Sequence, residues 1–275
     1  MSFVEAIVLG VIQGLTEFLP VSSSGHLVIF QHLFGITEPV LAFDIAVHVG
    51  TLMAVVVFFF RDLIAIVAGA LAFGADSLRQ RRLRMPTAEA PDARMAVLII
   101  VGSVPTGIIG ILFKDSAETL FSSLALVGVS LCVTSALLWG THRLKATGID
   151  IGTTGAGKAL VVGVVQGLAI IPGISRSGST IAAGLYLGLN RETAARFSFL
   201  LSIPAVAGAG LLGVLDLVGG NAIPLSVMAA GMVTSAVVGY GALALLVWIV
   251  KQGRMHLFAP YCLVAGLVSL YVGLM

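Results

Sequence analysis

One polar stretch interrupts an otherwise apolar N-terminal region: Gln13-Gly14-Leu15-Thr16-Glu17-Phe18-Leu19-Pro20-Val21-Ser22-Ser23-Ser24-Gly25-His26. It places a carboxylate, three serine hydroxyls and an imidazole in a chain that is 58% hydrophobic and only 10% charged. The mean hydropathy is +1.09, and soluble domains carry about 25% charged residues. The composition therefore predicts an integral membrane protein. The net charge of +2 is too small to indicate a nucleic-acid partner.

A second polar stretch repeats the spacing of the first. It begins with Gln166, Gly167 and Leu168, which repeat Gln13, Gly14 and Leu15, and it continues with Ser175, Ser177 and Gly178, which repeat Ser22, Ser24 and Gly25. The first copy also carries Glu17 and His26, whereas the second carries Arg176. Two polar loops of complementary charge inside a membrane protein predict one composite site for an anionic substrate.

Each polar stretch lies in a segment that does not read as a full membrane span, since a spanning helix needs about 20 apolar residues. We therefore predict that residues 2–34 and 159–189 are re-entrant hairpins with the polar loop at membrane depth. Non-helical backbone is tolerated there only where protein buries it or where it lines a wet cavity. A separate apolar run at 63–73 predicts a short interfacial helix.

Six apolar segments are predicted to cross the bilayer, namely 41–60, 95–113, 120–140, 197–214, 224–250 and 257–274, with a short turn at 114–119. Short loops dense in Lys and Arg stay cytoplasmic. This rule places inside the loops that carry Arg79, Arg81, Arg82, Arg84 and Arg94, then Arg143, Lys145 and Lys158, and finally Lys251 and Arg254.

Each half of the chain is thus one hairpin plus three spans, and because three is odd the second half is inverted relative to the first. The predicted fold is a single all-α polytopic membrane domain over 1–275, with one repeat at about 1–145 and the other at about 155–275. The first hairpin enters from outside and the second from inside, so that their tips meet near the midplane. Many secondary transporters share this architecture.

In each stretch the serines precede a helix, which we predict at 27–34 and at 180–189. Serine is a favoured N-cap, and a helix N-terminus with its free N–H groups is a ready phosphate site. Glycine lets the backbone approach a ligand closely. The residues predicted to bind a pyrophosphate are Ser22, Ser24, Gly25, Gly173, Ser175, Ser177 and Thr180. The alternative is that these serines only cap two buried helices.

Arg176 is the only Lys or Arg between Lys158 and Arg191. A guanidinium at membrane depth normally has a partner. We predict that Arg176 binds phosphate oxygens in a bidentate manner. The alternative is a structural ion pair with Glu17.

Gln13 and Glu17 are four residues apart and share one helix face. They are predicted either to hold a divalent cation or to orient His26. Since Gln13 is neutral, the candidate ion is Mg²⁺ or Ca²⁺ that completes its shell with substrate phosphates.

His26 is the candidate general base, general acid or nucleophile, because imidazole exchanges protons near neutral pH. His48, with Asp44 one turn earlier, is expected to pack in the core rather than to line the site. His32, His142 and His256 carry no local signal of function.

The two stretches resemble the signatures of the bacterial undecaprenyl-pyrophosphate phosphatases of the bacitracin-resistance family. The first signature is Glu or Gln, three residues, then Glu, followed by Pro-Val-Ser-Ser-x-Gly-His, and Gln13, Glu17 and residues 20–26 match it. The second, Pro-Gly-x-Ser-Arg-Ser-x-x-Thr, matches residues 172–180. Length and hydropathy fit end to end. Gln13 departs from a glutamate that the family also uses, which weakens a metal site of two carboxylates.

The resemblance implies hydrolysis of undecaprenyl pyrophosphate to undecaprenyl phosphate and inorganic phosphate, which recycles the lipid carrier of peptidoglycan synthesis and confers bacitracin resistance. It also implies a divalent cation, a homodimer in the bacterial cytoplasmic membrane, and an active site that opens to the outer, periplasmic face.

The expected catalytic residues are Glu17, Ser23, His26 and Arg176. Three routes stay open: attack on the terminal phosphorus by Ser23 that His26 activates, by His26 itself, or by a water that His26 deprotonates. The polyprenyl tail is expected to follow apolar grooves between spans.

Two other functions compete with this one. A transporter or flippase of anionic polyprenyl lipids is the alternative that the inverted repeat favours. A second class of membrane phosphatase shares the Ser-Gly-His triplet, but it is excluded because the required His and Asp do not follow Arg176.

Overall fold

In the computed structural model the chain folds as a bundle of α-helices. The structure describes residues 1–36, 41–81, 85–113, 120, 123–144, 148–216 and 223–275, and at 41 and 212–216 it describes the backbone alone. The α-helices within these ranges are α1 (Phe3–Phe18), α2 (Ser23–Leu33), α3 (Leu41–Phe58), α4 (Phe60–Gln80), α5 (Pro91–Phe113), α6 (Leu124–Gly140), α7 (Ala156–Leu168), α8 (Arg176–Tyr186), α9 (Arg191–Asp216), α10 (Leu225–Lys251) and α11 (Ala259–Leu274). The β-type pairing described there is one isolated bridge between Ile149 and Leu189.

Both predicted hairpins are present as pairs of short helices joined by a tight turn, since α1 packs on α2 and α7 packs on α8. The second helix of each pair begins earlier than the sequence predicted, at Ser23 instead of 27 and at Arg176 instead of 180. The hydroxyls of Ser22 and Ser175 each accept the backbone N–H three residues on. These N-caps draw the following residues into the first helical turn. The depth of the hairpins in a bilayer stays a prediction.

The spanning helices agree with the predicted multi-pass membrane protein. Five helices of the described part of the chain are long and apolar enough to cross a bilayer, namely Pro91–Phe113, Leu124–Arg143, Arg191–Leu211, Leu225–Lys251 and Met255–Leu274. The pair α3 and α4 is bent by 75° and counts as a sixth span when it is taken as one.

The predicted interfacial helix at 63–73 is part of the longer α4, which continues to Gln80. The helix continues past residue 73 because Gly74 is the one weak helix former there, and the residues that follow it tolerate a helix. The predicted turn at 114–119 and the basic residues Arg82, Arg84 and Lys145 lie outside the described residues.

Small residues let the hairpins approach the spans closely. Gly10 of α1 lies against the backbone of Gly231 in α10, and its counterpart in the repeat, Gly163 of α7, lies against Gly102 of α5. In a bilayer, close packing of this kind stabilises helix pairs that lack a hydrophobic driving force.

The two halves of the chain exchange packing partners in matching pairs. Helix α1 of the first half packs on α10 of the second, α7 of the second half packs on α5 of the first, and α6 and α11 pack on each other. A twofold-related repeat predicts this pattern. Its boundaries and the inverted orientation in the membrane stay predictions.

Replacing Gly163 with alanine should lower the thermal unfolding midpoint in detergent micelles. A Cβ there would lie 2.0 Å from the carbonyl oxygen of Gly102, and such overpacking costs about 1–3 kcal/mol. Gly107→Ala on α5 is the matched control, because a Cβ at Gly107 meets nothing within 4 Å. Both variants gain the same helix propensity, about 1 kcal/mol. Equal midpoints for the two variants would contradict the close packing of α5 and α7.

Candidate active site

The two polar loops touch at their tips. The Ser22 hydroxyl accepts a hydrogen bond from the backbone N–H of Gly173 at 3.1 Å, and the Ser177 hydroxyl donates to the carbonyl of Phe18 at 2.9 Å. A Cβ at Gly25 would lie 3.2 Å from the Cα of Gly173, so any other residue there would push the two loops apart by a few tenths of an ångström. Each loop therefore satisfies polar groups of the other.

The turns before α2 and α8 place a positive φ at different positions. In the first loop Ser22 has φ +69°, and in the second Gly173 has φ +94°. A non-glycine residue at such a φ costs about 1–3 kcal/mol and persists only where its surroundings hold it. This difference accompanies the offset of one place between Pro20 and Pro172 in the repeat.

Glu17 lies where the two polar loops meet, and it is 7% exposed. Its Oε2 accepts hydrogen bonds from Ser23 Oγ at 2.5 Å and from Gln13 Nε2 at 3.0 Å. Its Oε1 forms an ion pair with Arg176, and His48 Nε2 lies 3.6 Å from Oε2. A buried carboxylate is destabilising unless charge and hydrogen bonds compensate it. Here the partners come from α1, α2, α3 and α8.

Arg176 forms the ion pair with Glu17 that the sequence left open as an alternative, and its predicted phosphate binding stays a prediction. It pairs with Glu17 through Nη2. Its Nη1 is buried and has no hydrogen-bond partner among the described residues. The guanidinium is thus held by Glu17 and retains an N–H group that suits a phosphate oxygen.

His26 is buried, and its two ring nitrogens contact groups other than Glu17. Its Nδ1 lies 2.7 Å from the carbonyl oxygen of Ser22, and its Nε2 lies 2.7 Å from the hydroxyl of Tyr261 on α11. Both ring nitrogens are therefore engaged, whereas the hydroxyl of Ser23 is bonded to Glu17. Sequence reasoning missed Tyr261, because it lies far along the chain and no local spacing connects it to His26.

His48 lies at the site, although the sequence favoured core packing. Its Nδ1 is 2.7 Å from the carbonyl oxygen of Asp44 one turn earlier. Its Nε2 faces Glu17, and its side chain is 29% exposed. Gln31 in turn donates to the buried Asp44 carboxylate at 2.7 Å. The spacing of Asp44 and His48 on one helix face was the available signal, but only the packing of α3 on α1 brings His48 to Glu17.

The other predicted phosphate-binding hydroxyls bond mainly within the protein. The Ser175 hydroxyl caps α8, and the Thr180 hydroxyl contacts the hydroxyl of Ser198 at 2.5 Å. Ser24 is partly exposed and lies 3.3 Å from the hydroxyl of Ser22. Their predicted role in binding phosphate stays a prediction.

The oxygen donors near Glu17 suit a cation that is shared with a substrate, and not one that the protein holds alone. No group of three His, Cys, Asp or Glu suited to a metal occurs in the part of the chain that the structure describes. Gln13 Oε1 is buried and lacks a hydrogen-bond partner within those same residues. One oxygen from Glu17 and one from Gln13 would leave most of a cation's coordination shell open, and hard cations such as Mg²⁺ often complete their shell with phosphate oxygens.

A narrow cleft adjoins the contact between the two loops. It is lined by Glu17, Phe18, Thr51, Leu52, Val55, Arg176, Ser202 and Val206. Its polar end is therefore the Glu17–Arg176 pair, and its apolar wall comes from α3 and α9.

The sequence matches known proteins along nearly its whole length. The profile of the family described as bacitracin resistance protein BacA matches residues 6–268. Proteins named undecaprenyl-diphosphatase are 52% identical in Desulfosudis oleivorans, with 100% of both chains covered, and 51% identical in Desulforapulum autotrophicum, with 99% of each covered. One from Methanosphaera stadtmanae is 46% identical over 98% of each chain.

A double-mutant cycle should show that Glu17 and Arg176 stabilise the fold together. We expect Glu17→Gln and Arg176→Met to be coupled by about 1–3 kcal/mol in the free energy of unfolding in mixed micelles, because each single change leaves the other charge buried and unpaired. The control cycle uses Glu192 and Lys251, whose exposed pair at 3.1 Å should be coupled by less than about 1 kcal/mol. Additive effects at Glu17 and Arg176 would contradict the buried pair.

Proposed function

This chain belongs to the bacitracin resistance protein BacA family, and from that membership and its site we propose that it is an integral membrane phosphatase. It hydrolyses undecaprenyl pyrophosphate to undecaprenyl phosphate and inorganic phosphate. The reaction recycles the lipid carrier of peptidoglycan synthesis, and bacitracin resistance follows from the family.

The observation that supports this function is the arrangement of Ser23, Glu17 and Arg176 where two helix N-termini meet. The Ser23 hydroxyl already donates to a carboxylate, and the same carboxylate holds a guanidinium beside the opening turns of α2 and α8. Glu17, the proposed proton acceptor, is therefore in direct contact with both Ser23, the proposed nucleophile, and Arg176, the proposed anion-binding group.

In the proposed first step Ser23 Oγ attacks the terminal phosphorus. The Oγ–P bond forms, the bond from phosphorus to the bridging oxygen breaks, and undecaprenyl phosphate leaves. The Ser23 proton passes to Glu17 Oε2, which lies 2.5 Å away. In the second step a water oxygen attacks the phosphoserine phosphorus as the Oγ–P bond breaks, Glu17 returns its proton to Ser23 Oγ, and inorganic phosphate leaves with both hydrogens of the water. Arg176 and the helix N-termini stabilise charge on the phosphate oxygens.

This route differs from all three routes that the sequence left open, since each of them used His26 as the base or the nucleophile. The contacts support Glu17 as the proton acceptor, because both nitrogens of His26 are bonded to Ser22 and Tyr261. The same contacts argue against His26 as the nucleophile in this arrangement.

A divalent cation, Mg²⁺ or Ca²⁺, is part of the proposal. Glu17 and Gln13 would hold it together with pyrophosphate oxygens, and when bound it would neutralise phosphate charge. The unpartnered oxygen of Gln13 supports this placement.

The proposed location is the bacterial cytoplasmic membrane, with the site open to the outer, periplasmic face and the chain assembled as a homodimer. The basic residues near one set of helix ends support the orientation. Leu52, Val55 and Val206 lie beside the Glu17–Arg176 pair, so they are the apolar side chains that the first part of the polyprenyl tail would contact.

A transporter or flippase of anionic polyprenyl lipids is the second candidate, because the halves exchange packing partners as a repeat. It differs in one measurable outcome. A transporter without hydrolase activity releases no phosphate from undecaprenyl pyrophosphate in detergent solution.

Purified protein should release phosphate from undecaprenyl pyrophosphate in detergent, and Ser23→Ala should lower kcat at least about 100-fold, since the nucleophile is lost.

Arg176→Lys should also lose activity, because an ammonium does not reproduce the fork of a guanidinium. A chelator should suppress the wild-type rate, and Mg²⁺ or Ca²⁺ should restore it.

The control is Ser103→Ala, since that hydroxyl bonds to the Ile99 carbonyl within α5. Its activity should stay within about twofold of wild type. An acid-stable phosphoenzyme that Ser23→Ala abolishes would support the serine route. Full activity of Ser23→Ala would overturn it, and an inactive wild type would favour the transporter.

Thiol labelling of a single introduced cysteine should test the proposed orientation in the membrane. In a variant without Cys132 and Cys262, Gln80→Cys at the end of α4 should resist an impermeant thiol reagent added to intact cells and react after the cells are opened, because basic loops stay cytoplasmic. Labelling of intact cells would reverse the proposed topology.

A further inference from the structure

Tyr261 makes a specific contact with His26 that neither the sequence motifs nor the reaction accounts for. Its hydroxyl lies 2.7 Å from His26 Nε2. The two rings are stacked with centroids 5.7 Å apart and planes 11° apart. Tyr261 is 51% exposed overall, so its hydroxyl end reaches inward from a helix surface to a buried imidazole.

The hydrogen bonds of His26 settle which atom donates. The Ser22 carbonyl oxygen accepts only, so Nδ1 at 2.7 Å carries the proton. In the neutral imidazole Nε2 is then an acceptor, and the hydroxyl of Tyr261 donates to it. A turn of the ring by half a rotation would break both bonds, so the pair fixes both tautomer and ring orientation.

His26 in turn holds the strained residue next to the nucleophile. Ser22 has φ +69°, and its carbonyl oxygen accepts from both the backbone N–H of His26 at 3.1 Å and the ring Nδ1. Its hydroxyl accepts from the backbone N–H groups of Gly25 and Gly173. Ser23 follows directly, so the direction of its side chain depends on Ser22 staying in this conformation.

Helix α11 also holds the other end of the same loop. Cys262, next to Tyr261, lies with its Sγ 3.5 Å from the carbonyl oxygen of Pro20. In the second loop, Thr134 of α6 performs the matching task, since its hydroxyl donates to the Gly173 carbonyl at 2.9 Å and accepts from the Ser175 N–H at 3.0 Å. Helices α6 and α11, which pack on each other, therefore each hold one of the two polar loops through side-chain hydrogen bonds.

We propose that Tyr261 is a positioning residue for the phosphatase reaction, acting through His26 and Ser22 to hold Ser23 in line with the phosphorus. This proposal rests on the proposed function. Tyr261 touches no reacting atom, and the pyrophosphate is bound by Arg176 and the helix N-termini. Loss of its hydroxyl therefore lowers kcat and leaves KM nearly unchanged.

Tyr261→Phe tests this directly, because it keeps the stacked ring and removes only the hydroxyl. The expected result is a fall in kcat of about tenfold, the scale of a displacement of less than 1 Å at a reacting group, with KM within about twofold. Tyr271→Phe is the matched control on the same helix, where the tyrosine is 65% exposed, and it should keep the wild-type kcat. Wild-type kcat in Tyr261→Phe would overturn the proposal.

A double variant separates positioning through His26 from a general packing role. In a His26→Asn background, Tyr261→Phe should cause no further loss of kcat, because the residue through which it acts is gone. A further loss equal to that in the wild-type background would overturn the proposed route.

Nitrogen NMR of the histidine rings supplies a readout that needs no activity. Removing the Tyr261 hydroxyl should move the Nε2 resonance of His26, with the signal assigned by its absence in His26→Asn. An unmoved resonance would refute the pair itself. An inactive wild type with a moved resonance would instead refute the proposed function and leave the contact established.

Discussion

The buried carboxylate of Glu17 is the group on which this arrangement depends. It is 7% exposed and compensated by Gln13, Ser23, His48 and Arg176. These partners belong to both hairpins and to the first span, so a single charge connects segments that are far apart in the chain. Since a charge in an apolar interior is destabilising without such partners, these contacts favour the observed arrangement of the helices over arrangements that leave Glu17 unpaired.

Much of this arrangement could be predicted from the sequence, because its signals are local. Apolar length predicted the spanning helices, and the serine-rich loops predicted that serines cap the helices that follow them, without indicating which serines. The helix starts were set too late because serines after a proline resemble a loop until the capping hydrogen bonds are known. Residues such as His48 and Tyr261 could not be assigned, since their partners lie on other helices and only packing brings them together.

The loop contacts explain why two polar tips are stable inside an apolar chain. Neither tip satisfies its backbone alone, and each supplies what the other lacks: the Ser22 hydroxyl receives the Gly173 N–H, and the Ser177 hydroxyl reaches the Phe18 carbonyl. Gly25 leaves room for this approach. The same contacts that satisfy buried polar groups also bring Arg176 to Glu17. The contacts that stabilise the fold therefore also assemble the site.

The sign of the central charge bears on what the site does. A site that only binds and releases an anion gains from Arg176 and the helix N-termini, but it is weakened by a carboxylate at its centre. A hydrolase needs a group that accepts a proton as a nucleophile attacks, and Glu17 already receives the hydroxyl of Ser23 at 2.5 Å. In the proposed site the repulsion between Glu17 and a bound pyrophosphate would be offset by Arg176 and by the proposed cation. The placement of Glu17 against Ser23 therefore argues for hydrolysis more strongly than the repeat of helices argues for transport.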